Sequence, residues 1–127
     1  MKIAIPVTGE QHVAGHAGQA RNWLVYDCIP GAKLPAPHAI TLAREQVLHH
    51  FEDDGPHPLD GVEVVIAASA GDGFVRHMAK RGAEVLLTGE QLPDAALARI
   101  LAGEALPDPR FDITTTLCKL RDLFSRH

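Results

Sequence analysis

Apolar residues along the chain fall into short blocks separated by glycine, proline and acidic clusters. KIAIPV at residues 2–7 is a β-branched run halted by TGE, and NWLVYDCI at 22–29 is a second, ended by Pro30 and Gly31. Runs of this length and composition, bounded by turn residues, predict strands. Residues 32–37 follow through a tight turn, and their two prolines restrict them to a third strand at a sheet edge. From 39 to 51, Ile40, Ala43, Val47 and Phe51 recur at steps of three and four, with Thr41, Arg44 and Glu45 elsewhere, which is the spacing of a helix.

The second half alternates more regularly. GVEVVIAAS at 61–69 is a nearly continuous apolar run ended by AGDG; FVRHMAKRG follows with helical spacing and a glycine, Gly82, suited to a C-terminal cap. AEVLLTG at 83–89 is another buried strand, so these segments predict a strand–helix–strand unit with parallel strands. Pro93 in a first-turn position and Asp94 open the helix DAALARILAGE. After a proline-rich connection, TTTLCKLRDLF predicts a last helix capped by one of Thr114 to Thr116. The sum is an α/β domain with a mixed sheet of about five strands: an antiparallel start, then parallel crossovers, with helices on both faces. In such sheets ligands favour the carboxyl ends of the parallel strands.

Composition narrows the class of partner. A chain of 127 residues that is 46% apolar and 22% charged suits one compact domain with a real core. No apolar run approaches the roughly 18 residues of a membrane span, and the short run after Lys2 lacks the length of a secretory leader, which predicts a cytoplasmic protein with no membrane association. Cys28 and Cys118 form no CxxC pair and read as free thiols. A formal charge of −4, with twelve Lys and Arg in no dense run, excludes a general nucleic-acid binder and leaves a small ligand or a protein as partner.

Candidate chemistry concentrates in residues 8–21, where Gly9, Gly15 and Gly18 predict a surface loop at a strand end. His12 and His16 have HxxxH spacing, but that places two ligands on one side only in a helix, which the glycines oppose. Two readings stay open: one imidazole converges with Cys28 or His49 on iron, zinc or an iron–sulfur cluster, or the histidines are solvated and bonded within the loop. His49 and His50 fall at the end of the helix predicted for 39–51, where they complement its dipole, and at most one of them faces the loop. AGDGF, at a strand-to-helix junction, reads as an anion-holding turn or simply a tight one, and Asp27 as an acceptor for a ligating histidine or a solvated strand end. No paired-carboxylate site or Ser/His/Asp set is visible, so no nucleophile is nominated.

The stretch KIAIPVTGEQHVAGHAGQARNWLVYD resembles the N-terminal signature of the nitrogenase iron–molybdenum cofactor biosynthesis family: a strand, a loop, then a histidine-led HFGxAxxFxVYD. The matching residues are His16, Gly18, Ala20, Val25, Tyr26 and Asp27, with Trp23 at an aromatic position; the departure is Ala17, where the family commonly has phenylalanine. The order of elements extends the resemblance over residues 1–105 as a cofactor-carrier-like domain. Residues 106–127 are then a C-terminal extension whose helix packs on the same domain.

The resemblance implies a ribonuclease H-like fold and a non-catalytic protein that transiently binds an iron–sulfur or iron–molybdenum cluster precursor. Its partners would be metallocluster donor and acceptor proteins. It makes His16 the cluster-contacting residue; backbone amides around Gly18 and the nearby Arg21 are candidate supports for an anionic cluster, and His12, Cys28 or His49 are candidate helper ligands. A cluster-free regulatory module of the same fold, binding a partner through the loop or residues 117–124, is the alternative. A nuclease is a third reading, weakened because two-metal cleavage needs clustered carboxylates and KIAIPV has none. The oligomeric state is left open.

Overall fold

The computed structural model describes residues 1–29, 33–49, 51 and 55–102. Its strands are β1 (Lys2–Pro6), β2 (Asn22–Asp27), β3 (His38–Thr41), β4 (Val62–Ala67) and β5 (Glu84–Leu87), and its helices are α1 (Asp72–Lys80) and α2 (Pro93–Leu101). The strands form one sheet in the order β3-β2-β1-β4-β5. β2 is antiparallel to both β1 and β3, while β1, β4 and β5 are parallel, so β2 alone runs against the rest.

Central position explains the apolar runs. β1 and β4 are flanked on both sides, and their side chains Ile3, Ala4, Ile5, Val64, Val65, Ile66 and Ala67 are fully buried. Because successive side chains alternate between faces, the sheet carries two cores. Ile3, Ile5, Tyr26, Val64 and Ile66 pack with Ala96, Leu97 and Ile100 of α2. Ala4, Trp23, Val25 and Val65 pack with Phe74 and Met78 of α1. The two described helices therefore cover opposite faces, as the pattern predicts.

Both helices also keep their predicted punctuation. Gly82 takes φ 87° after α1, with its N–H on Ala79 O and that of Ala83 on Met78 O, the paired bonds of a Schellman C-cap. Pro93 opens α2 at its first turn.

Residues 33–51 depart from the sequence-based expectation. The third strand expected over 32–37 is displaced: the described residues 33–37 have no regular structure, and β3 begins at His38, just after Pro37, where every residue has an N–H to give the ladder. The helix expected over 39–51 is absent among the described residues, where a 3₁₀ turn at Arg44–Gln46 follows β3. Ile40 is half-buried and Leu42 fully buried while Ala39 and Thr41 are exposed, a period of two that suits an edge strand. Pairing with β2 overrides the weaker helical spacing. His49 consequently ends no helix. His50, the turn at Pro30 and Gly31, Cys118 and the helix expected within 106–127 lie outside the described residues.

Topology puts the carboxyl ends of β1, β3, β4 and β5 and the start of β2 at one end of the sheet. The loop of residues 8–21 leaves β1 at that end.

Candidate functional site

The loop is stitched to the sheet by backbone bonds. Ala14 N donates to Pro6 O at 2.8 Å, Ala68 N to Ala14 O at 2.9 Å, Ala17 N to Ser69 O at 3.2 Å and Val13 N to Gln91 O at 2.8 Å. It thus spans the exits of β1, β4 and β5, where the expected ligand end lies.

His16 is exposed on this platform with a left-handed backbone, φ 50° and ψ 53°. A non-glycine residue there costs about 1–2 kcal/mol and persists only where its surroundings determine it. Ser69 supplies part of that determination: its Oγ accepts the His16 N–H at 2.8 Å. Gly15 makes room, since a Cβ on it would stand 2.7 Å from Ser69 Oγ. A 3₁₀ turn, Ala17–Gln19, follows directly.

The other histidine of the loop belongs to a different turn. Thr8 Oγ1 accepts from the N–H of Glu10 and His12, and Gln11 adopts φ 63°. His12 Nδ1 lies 3.8 Å from Glu10 Oε2. Two left-handed residues in 8–16 exclude a helix, so the HxxxH spacing does not aim both imidazoles from one helical face.

Arg21 and His49 line one basin together with Gln19, in the 3₁₀ turn that follows His16, and that basin does not include His16 itself. His49 N donates to Gly18 O at 2.6 Å, which joins the 44–49 segment to the loop. Arg21 Nε donates to Leu42 O at 3.1 Å. Gly18 covers the ring of Phe74, where an added Cβ would make only ordinary contact at 3.6 Å. Ala17, the departure from the resembled signature, is fully buried in the cluster that contains Trp23 and Phe74, whose rings stack with centroids 6.4 Å apart. Aromatic support beneath the loop is thus delivered by β2 and α1.

Cys28 is elsewhere. It follows the far end of β2, exchanges backbone bonds with Met1, and is buried in the α2-side core. Lys2 pairs with Asp27 and Pro6 with Trp23, so the length of β1 separates Cys28 from the loop. Burial pushes its thiol pKa up, with the terminal ammonium pulling the other way, which disfavours the thiolate form that ligates metals. Cys28 and His16 share no site.

The match to known proteins falls on this same architecture. The family model described as dinitrogenase iron-molybdenum cofactor matches residues 1–103. The chain belongs to that family. Membership supports a part in nitrogenase iron–molybdenum cofactor biosynthesis. Among solved structures, the crystal structure of PH0822 superposes with a TM-score of 0.68 at 17% identity, covering 90% of this chain and 99% of that one. The NMR structure of a Thermotoga protein provisionally described as NifB, of the DUF35 family, gives a TM-score of 0.57 at 19% identity, covering 87% and 95%. At such identities these likenesses speak for the fold. No curated protein matches the chain significantly.

Two site residues escape sequence reading. Ser69 reads there as the end of a strand, yet it is the latch on His16; a hydroxyl directly before a glycine turn is the only signal. Arg44 reads as the polar face of a helix, and the structure brings it to the same basin as Arg21 and His49. Among the described residues no group of three His, Cys, Asp or Glu side chains is placed to hold a metal ion, and no helix is long and apolar enough to cross a membrane.

Proposed function

We propose that the chain is a non-catalytic carrier that binds an iron–sulfur or iron–molybdenum cluster precursor at His16 and passes it from a donor protein to an acceptor. The observation that carries this reading is the presentation of His16: exposed, left-handed and latched by Ser69 at the carboxyl end of the sheet in a member of this family. Imidazole is a ligand for iron, and a preassembled cluster, whose irons already share bridging sulfide, needs few protein ligands.

Release is the other half of a carrier's task. Each further thiolate or imidazole would deepen the trap by kilocalories, and every 1.4 kcal/mol slows delivery about tenfold at constant association rate. One imidazole suits a ligand that must leave again. His49 stands next to the loop as a second contact, His12 sits in its own turn, and Cys28 has no place in this site. The ribonuclease H-like class goes with the reading, and the sheet order with β2 alone reversed supports it.

Anaerobic reconstitution tests the proposal. The chain is incubated with an iron–sulfur precursor, desalted, and assayed for iron per chain and visible absorbance. Wild type should retain a cluster and hand it to an apo-acceptor, and His16→Ala should lose at least tenfold in retention. Equal retention by the two would remove His16 from the role, and no retention by wild type would favour the cluster-free module.

A further inference from the structure

We propose that Arg21 and Arg44 form a binding site for an oxyanion carrying two or more negative charges, set beside the His16 loop. The two arginines line an open basin of about 540 Å³ together with Gln19, Val47 and His49. That volume is within the range of small-molecule sites, roughly 300–1,000 Å³.

Its walls are pinned. Leu42 N donates to Arg21 O at 2.7 Å while Arg21 Nε donates back to Leu42 O at 3.1 Å, so Arg21 is held where β2 begins and β3 ends. Arg44 opens the 3₁₀ turn two residues after Leu42. Across the basin the His49 N–H is fixed on Gly18 O at 2.6 Å.

Charge supplies the second argument. The chain has 16 acidic residues against 12 Lys and Arg. Yet among the described residues the ion pairs between arginine and carboxylate are Arg81 with Asp60 and Arg99 with Glu90. Arg21 and Arg44 appear in none of them. Two arginines lining one concavity, with no carboxylate among its described lining residues, supply forked donors whose geometry matches phosphate or carboxylate oxygens. One singly charged ion would balance only half of that charge, which selects a multivalent oxyanion. His16 is not among the residues that line the basin, so an oxyanion can bind there whether or not His16 carries a cluster.

Calorimetric titration of the full chain with inorganic phosphate and with citrate, each at constant ionic strength against a chloride control, tests the basin and separates a phosphate ligand from a carboxylate one. Saturable binding of at least one of them is expected. Arg44→Gln should weaken it at least tenfold, Arg44→Lys should recover part of the loss, and Arg76→Gln, exposed on α1, should leave it unchanged. Affinity should fall as sodium chloride is raised. Because Arg21 also braces Leu42, circular dichroism accompanies Arg21→Gln, and Arg44→Gln decides if that variant unfolds. Binding of both anions no stronger than chloride, or wild-type affinity in a folded Arg44→Gln, overturns the proposal. A chain that binds phosphate or citrate but retains no cluster upholds the basin and removes the carrier reading instead.

Discussion

Ser69 Oγ holds the amide of a histidine 53 residues away, and that single bond links the exit of β4 to the proposed ligand. Ser69→Ala should cost about 0.5–1.5 kcal/mol in urea denaturation and should lower cluster retention with His16 still present. Gly15→Ala should do the same, because its Cβ displaces the hydroxyl from His16 N. His12→Ala should leave retention intact.

A second histidine acts at the same scale within the core. Leu59 N donates to Nδ1 of the buried His57 at 3.0 Å, which leaves Nε2 to donate to Gln46 O at 2.7 Å. His57→Leu strands both backbone groups and should destabilise the chain by about 1–3 kcal/mol, read as a shift in urea midpoint. His16 is legible in the sequence because it sits inside a local motif. Ser69 and His57 are not, since their partners are set by tertiary placement and leave no periodic trace.

At the scale of elements, Tyr26 couples β2 to α2: its hydroxyl donates to Asp94 Oδ1 at 2.8 Å in the first turn of the helix. Burial first, then the Asp94 carboxylate, pushes the phenol pKa well above its ordinary value of 10.0. A raised folded-state pKa means this contribution is complete below about pH 10 and is lost as pH rises beyond it. Wild type should therefore lose stability steeply in alkaline denaturation series. Tyr26→Phe should start about 0.5–1.5 kcal/mol lower at neutral pH and show a shallower alkaline decline.

Elements were unequally readable. The stretch from β4 to α2 was plain, because fully buried parallel strands give continuous apolar runs and both helices carry glycine or proline punctuation. Residues 39–51 misled, because Ile40, Ala43 and Val47 satisfy a helical period while Ile40 and Leu42 satisfy a strand period. Such a short window lets the open edge of β2 decide. Arg44 was misplaced along with that element, and the basin it lines was invisible for the same reason.

Across the whole molecule, one end of the sheet gathers the proposed ligand residues and the other closes the core. The loop with His16, the Arg21 and Arg44 basin and the start of α1 gather where β1 and β4 end, while Met1 and Cys28 are bonded together at the opposite end. That polarity follows from the parallel pairing of β1, β4 and β5, which the buried runs foretold. The ligand set does not follow from it: residue chemistry leaves His12, Cys28 and His49 open as helpers, and the chain path places Cys28 at the far end of β2 and His49 beside Gly18.

The central claim is that His16 itself ligates the cargo. Pulsed electron paramagnetic resonance on the reduced, cluster-loaded chain tests it most directly by detecting nitrogen coupled to the iron spin. The account predicts a histidine nitrogen coupling in wild type that persists in His12→Ala and disappears in His16→Ala. The same coupling retained in loaded His16→Ala would contradict it.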